Sequence, residues 1–177
     1  LADALAARRS VREFSELPLS AQQVSDLLWA AQGVTSDGGG RTAPSAGALY
    51  PLEVYVVTEG QVLHYRPDGH RIEARDSSTV RVAVADAVGQ DSARAAPAVV
   101  VIAGVVARVE PKYGGRAERY VLLEAGHAAQ NLLLAAAALG LGGVPIGAFG
   151  DDALARALDL PAGEETLYVI PVGRAAG

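Results

Sequence analysis

The chain has 177 residues, half of them hydrophobic, with a formal net charge of −5 and no cysteine. That length buries most of a real core in one domain without staples, so a single domain over residues 1–177 is expected. Absent cysteines exclude disulfides, thiolate metal sites and a cysteine nucleophile, and the acidic balance argues against nucleic acid as a partner.

In chain order, residues 2–7 read as a short helix leading into an extended "RRSVREF". The opening residues turn basic after their apolar stretch and not before it, so they do not read as an export signal, and a cytoplasmic setting is the expectation. Pro18 and Ser20 precede "AQQVSDLLWAAQ". Gln23 stands where a capping box needs it, Val24, Leu27, Leu28 and Ala31 share one face, and Gly33 stops the helix. After the glycine-rich "GGGRTAPSAGALYP", the run "LEVYVVTEGQVLHYRPDGHRIEARD" reads as three strands turning at Glu59-Gly60 and Asp68-Gly69. Ser77 or Ser78 can cap a helix over 79–88, Pro97 opens a buried strand "AVVVIAGV", and "EPKYGG" reads as a turn-rich loop.

Residues 116–139 form the longest predicted helix, amphipathic at first and then apolar nearly all round. Either it is a central helix under a sheet or it is shared with a second copy of the chain. From Leu132 to Phe149 the sequence carries no charge over nearly the length of a membrane span. Alanine, glycine and Pro145 interrupt it, so a buried helix followed by the strand "GGVPIGAF" is expected, not a membrane segment. A short helix "DDALARALDL" and a last strand "ETLYVIPVG" complete an α+β pattern: a mixed sheet flanked by helices, with one long central helix.

Candidate chemistry is scattered. Arg8, Arg9 and Arg12, with Ser10 among them, suit a phosphate, although on composition alone the solvated basic face is the preferred reading of the cluster. Pro44, Ser45, Ala46 and Gly47 have so little side chain that a planar ring could lie on the backbone, or they form an ordinary surface loop. Gly147 and Ala148 in "PIGAF" offer backbone N–H groups at a strand end, and Arg174 follows the last strand. Lys112 and Tyr113 are adjacent and suit proton transfer, or are a loop cation beside a packed ring. His127 reads as a helix-packing residue, and Glu124 one turn before it either bonds a ligand or pairs in an interface. His64, His70 and His127 show no metal-binding spacing, so no metal is expected.

Together, "RRSVREF", "RTAPSAGALYPLEVYVV", "EAGHAAQNLLLAA", "GLGGVPIGAF" and "LYVIPVGR" resemble, in order and over nearly the whole chain, the nitroreductase superfamily, and within it the SagB-type dehydrogenases. The resemblance implies a homodimer holding FMN at the subunit interface. It implies that Arg8, Arg9, Ser10, Arg12 and Arg174 serve the FMN phosphate and ribityl chain, and that Pro44, Ser45 and Ala46 come from the other subunit onto the isoalloxazine. It puts a backbone N–H of Gly147 or Ala148 near flavin N5, Gln90 near the flavin edge, and Lys112-Tyr113 in the place of a proton-abstracting pair. The segment "GVVARVEPKYGG" is shorter than the helical insertion that covers the flavin in many members, so an open site is expected, and only three residues follow Arg174 where many members extend an arm around the partner. The expected activity is hydride transfer between flavin N5 and a small organic or peptide-derived substrate, with NAD(P)H as a possible electron donor. The alternative is a flavin- or partner-binding subunit of a larger modifying complex without its own turnover.

Overall fold

A computed structural model describes all residues, 1–177. The chain runs α1 (Ala2–Ala7), α2 (Ala21–Gln32), β1 (Leu52–Thr58), β2 (Gln61–Arg66), β3 (Arg71–Asp76), α3 (Val80–Val88), α4 (Asp91–Ala95), β4 (Ala98–Gly104), α5 (Glu110–Tyr113), α6 (Ala117–Ala138), β5 (Gly142–Gly143), α7 (Asp151–Leu158) and β6 (Glu165–Gly173). The six strands lie in the order β3-β2-β1-β4-β6-β5, each ladder antiparallel. A parallel bridge from Ser10 to Gly143 makes the sheet mixed at that edge, in keeping with the expected α+β architecture.

The capping box of α2 forms as its sequence requires: Gln23 N–H donates to Ser20 Oγ at 3.1 Å, and Ser20 N–H donates to Gln23 Oε1 at 2.9 Å. Leu27 and Leu28 of this helix are fully buried, each contributing about 1.5–3 kcal/mol through removal from water. With α6, α2 covers one face of the sheet, packing on Val54, Val56, Val100 and Ile102. Helices α3 and α7 cover the other face, against Tyr55, Val57, Val99 and Val101. Alternate residues of β1 and β4 thus serve two cores, which is why both strands read as unbroken apolar runs.

Three expectations change. "EPKYGG" is not an open turn: Pro111 sits in the first turn of α5, and a 3-10 turn over Gly114–Arg116 follows. "GGVPIGAF" pairs only through β5 and a bridge from Ile146 to Val169, and "DSARA", too short to show a period in the sequence, forms α4. The apolar second half of α6 is also less bare than its composition suggests. Leu132 and Leu133 are 0% and 4% exposed within this one chain, whereas Leu122 and Leu123 in the first half are 50% and 54% exposed. By length and composition alone, residues 110–138 could cross a membrane, but Val121, Ala125, Ala128, Leu132 and Ala136 are packed into the core beside α2.

Candidate functional site

The two ends of the sequence meet at the β5 edge. Ser10 bridges Gly143, Val11 N–H donates to Gly143 O at 3.2 Å, Ser15 N–H donates to Arg174 O at 3.0 Å, and Phe14 bridges Ala175. This stitching gathers Arg8, Ser10, Arg12 and Arg174 on one side of the fold. None of these arginines pairs with a carboxylate. Arg9 is engaged differently: its guanidinium donates to Ala6 O and Arg8 O, both at 2.8 Å, closing the end of α1. A cavity of ≈ 200 Å³ lies between Arg8, Arg9 and Val11 on one side and Leu133, Ala137 and Gly143 on the other.

Gly147 and Ala148 follow the Ile146 bridge, both exposed, and neither N–H donates to a protein acceptor. A Cβ at Gly147 would meet nothing within 4 Å, so the backbone there is open to a flat ligand. Gly150 N–H donates to Ala87 O at 2.9 Å, which brings this loop alongside the end of α3 and exposed Gln90, the N-cap residue of α4.

The stretch 44–50 is tightly determined. Gly47, Ala48 and Tyr50 all lie in the left-handed region, with φ of 63°, 55° and 45°. For alanine and tyrosine that conformation costs about 1–2 kcal/mol each, and such strain persists only where surroundings hold it. Here Tyr50 N–H donates to Ser45 Oγ at 2.9 Å, and the Asn131 amide donates to Thr42 O at 3.1 Å. A Cβ at Gly47 would come within 2.6 Å of Lys112 Nζ, so the lysine lies directly on this loop. Tyr113 turns inward against Tyr120, ring centroids 4.6 Å apart. The structure therefore joins Lys112 to the 44–47 loop, while the N-terminal arginines sit farther along α6.

Of the polar groups beneath that loop the sequence pointed to Glu124 alone, and Arg41 and Gln32 carried no signal of their own. Arg41 donates to Gln32 Oε1 at 2.9 Å and lies 4.4 Å over the Tyr50 ring. Glu124 is 2% exposed, its Oε1 has no hydrogen-bond partner, and neither has Gln32 Nε2. Burial pushes the Glu124 carboxyl above the usual carboxylate range, and the nearby Ser45 hydroxyl, Arg41 charge and Gln32 amide only partly offset this. At the start of β1 Glu53 accepts from His64 Nε2 at 2.8 Å and from Arg108. A charged residue at an alternate position of "LEVYVV" was the available signal, because the residues flanking it by two on that face are apolar.

The sequence model of the nitroreductase family matches residues 5–174. This chain belongs to the nitroreductase family. A family protein of Methanocaldococcus jannaschii is 43% identical over 182 residues, covering 98% of this chain and 90% of that protein. The crystal structure of a family protein of Ralstonia eutropha is 32% identical, with a TM-score of 0.90, covering 99% of this chain and 83% of that one. Two more distant structures share the fold alone. One is a chain of the Escherichia coli microcin synthetase complex with truncated pro-MccB17 bound, 24% identical with a TM-score of 0.84 over 97% of this chain and 70% of that one. The other is the NADPH:FMN oxidoreductase of Vibrio harveyi complexed with NAD+, 22% identical with a TM-score of 0.73 over 99% and 69%. The fold and the family of oxidoreductases expected from the sequence are thereby established.

Proposed function

We propose that this nitroreductase-family chain is an FMN-dependent oxidoreductase of the SagB-type dehydrogenase branch, working in the cytoplasm as a homodimer. The observation that carries the reading is the convergence of Arg8, Arg12 and Arg174, all without carboxylate partners, at the same sheet edge as Ser10. Arginines whose backbone segments are brought to one edge and whose charges are left unneutralised suit a phosphate. The free N–H groups of Gly147 and Ala148 suit an acceptor atom on a ring laid over open backbone. When bound, FMN supplies hydride transfer at its N5 to or from a small organic or peptide-derived substrate, with NAD(P)H as one source of electrons.

A cavity of ≈ 200 Å³ is too small for a whole cofactor, since ligand sites usually span about 300–1,000 Å³. The remaining wall is proposed to come from a second copy. Arg8 lies beside Ala137 on α6 and Ser45 beside Glu124. Those two helix positions are about 20 Å apart at 1.5 Å per residue. A two-fold axis crossing α6 midway between them, near residues 130–131, would bring Pro44, Ser45 and Ala46 of one protomer toward the arginines of the other. Exposed Leu122 and Leu123, with Trp29 of α2 at 46% exposure, supply an apolar surface for it.

Within the site, Ser45 and the strained 47–50 backbone hold a rigid floor. Lys112 projects its ammonium over that floor, placed to hold or move a proton beside the reacting carbon or nitrogen, with Tyr113 next to it. The fold shared with a subunit of a modifying complex favours a second reading, a flavin-binding partner without turnover. Visible absorption of the purified protein tests the cofactor: a colourless protein that does not take up FMN removes the proposal. Steady-state oxidation of NAD(P)H compared with oxidation of a peptide azoline then separates reductase from dehydrogenase, and flavin that no acceptor reoxidises leaves the binding-subunit reading.

A further inference from the structure

The start of β1, the β2–β3 hairpin and the turn before α5 enclose a second cavity, of ≈ 210 Å³, unlike the rest of this acidic surface. Four guanidinium groups line it, those of Arg41, Arg66, Arg71 and Arg108, against only two carboxylates, Glu53 and Asp68. Glu53 is already committed. It accepts from His64 and Arg108 and lies 3.8 Å from Arg66, which also pairs with Glu73 at 2.8 Å. Little of its charge is left for the other two arginines. Arg71 makes one side-chain bond, from Nε to the Asp68 carbonyl at 3.3 Å, and Arg41 bonds only the neutral amide of Gln32 while lying over Tyr50. Asp68, exposed at the hairpin tip, is the lining carboxylate that carries no ion pair, and buried Glu124 lies on the far side of Arg41.

We propose that Arg41, Arg66, Arg71 and Arg108 form an oxyanion pocket, binding a phosphate or carboxylate carried by the molecule that reacts at the flavin. Size and polarity fit that class: the volume suits one anionic group and not a whole coenzyme, and the wall is mainly polar, with Leu52 and Pro67 its only apolar residues. Planar guanidinium forks match both anions bidentately. Position links the pocket to the site. Arg108 donates to Tyr50 O at 3.3 Å, Arg41 stacks on the Tyr50 ring, and Tyr50 is tied to Ser45, so two of the pocket's arginines touch the end of the loop on which Lys112 lies. An anion held by the arginines leaves the rest of its molecule free to extend over residues 45–47. The identity of the carrier rests on the flavin reading above; affinity for the bare ion does not.

The test is calorimetric titration with inorganic pyrophosphate, run on the protein saturated with FMN and again on flavin-free protein, so that failure to bind flavin and failure of this pocket are read separately. Saturable binding is expected in both, weakened at least about tenfold by Arg71→Glu and by Arg41→Gln. Arg8→Ala with Arg12→Ala should leave it in place on the FMN-saturated protein. Absence of saturable binding, no effect of Arg71→Glu, or loss only in the Arg8/Arg12 variant overturns the proposal. Kinetics identify the source. If Arg71→Glu lowers kcat/KM for NADPH but not for NADH, the anion is the coenzyme's phosphate; if it lowers turnover of an acidic acceptor but not of its methyl ester, the anion is a carboxylate on the acceptor. No change in either pair overturns the link to catalysis.

Discussion

Replacing Glu53 by glutamine keeps the shape of the side chain and removes its charge. Glu53 is buried, yet its partners Arg66 and Arg108 have side chains 39% and 42% exposed, so water can take over their solvation when the carboxylate is gone. The loss is therefore below that of a fully buried pair, about 1.5–3 kcal/mol for the charge-assisted bonds from His64 and Arg108. For a domain of this length that is a fall in Tm of about 3–12 °C at neutral pH. Acid sharpens the test. Burial pushes the Glu53 carboxyl up, but the bonds from His64 and Arg108 and the charge of Arg108 outweigh it, so its folded pKa is below the usual glutamate value. Stability from such a group is present above the unfolded pKa and lost as pH falls through the folded one. Wild type and Glu53→Gln should thus converge in thermal melts taken from pH 7 down through and below about pH 4.3. Melting points that agree within about 1 °C at pH 7, or a gap that widens in acid, would refute the argument.

Arg8→Ala with Arg12→Ala should weaken FMN by about 1.5–3 kcal/mol per lost phosphate contact while leaving riboflavin nearly unaffected; equal weakening in a flavin-fluorescence titration would place the phosphate elsewhere. Leu122→Glu with Leu123→Glu, on the exposed stripe of α6, should give a folded monomer in sedimentation that loses flavin, and a flavin-bound dimer would move the interface off this helix. Lys112→Ala and Tyr113→Phe should preserve flavin binding and lower substrate oxidation by about 10²–10⁴-fold, while NAD(P)H-driven nitro reduction stays close to wild type. Full azoline-oxidising activity in the double variant would take the pair out of the mechanism.

Local signals in the sequence carried through where chemistry is local. The Ser20–Gln23 box, the turns at Gly60 and Gly69, and the two-sided burial of β1 and β4 all follow from neighbours in sequence. The orientation of α6 does not. An apolar run without a polar stripe has no phase to read, so its sequence does not tell that Leu133 is buried within the chain while Leu122 and Leu123 hold the exposed position. Glu53, Arg66 and Arg108 were equally out of reach as a cluster, because their meeting depends on strand register and on the path of the turn after β4. Arg41 stood in plain view before "TAPSAG", but its partner Gln32 lies across a loop whose closure no pattern announces. The resemblance grouped Arg8, Arg9, Ser10, Arg12 and Arg174 around one ligand, but the backbone pairing that draws the N-terminal segment to Gly143 and to residues 174–176 is a contact that periodicity cannot supply.

That pairing also sets an order of events during synthesis. A ribosome makes Arg8 and Arg12 among the earliest of these residues and Arg174 among the latest, yet the backbone bonds that gather them exist only between the two segments. A nascent chain still lacking β6 has no complete arginine set and also lacks the strand that pairs along β4. On the proposed reading, capture of FMN by this arginine set comes only after the last strand has arrived and the first segment has found it, and so selects the molecules in which both have happened.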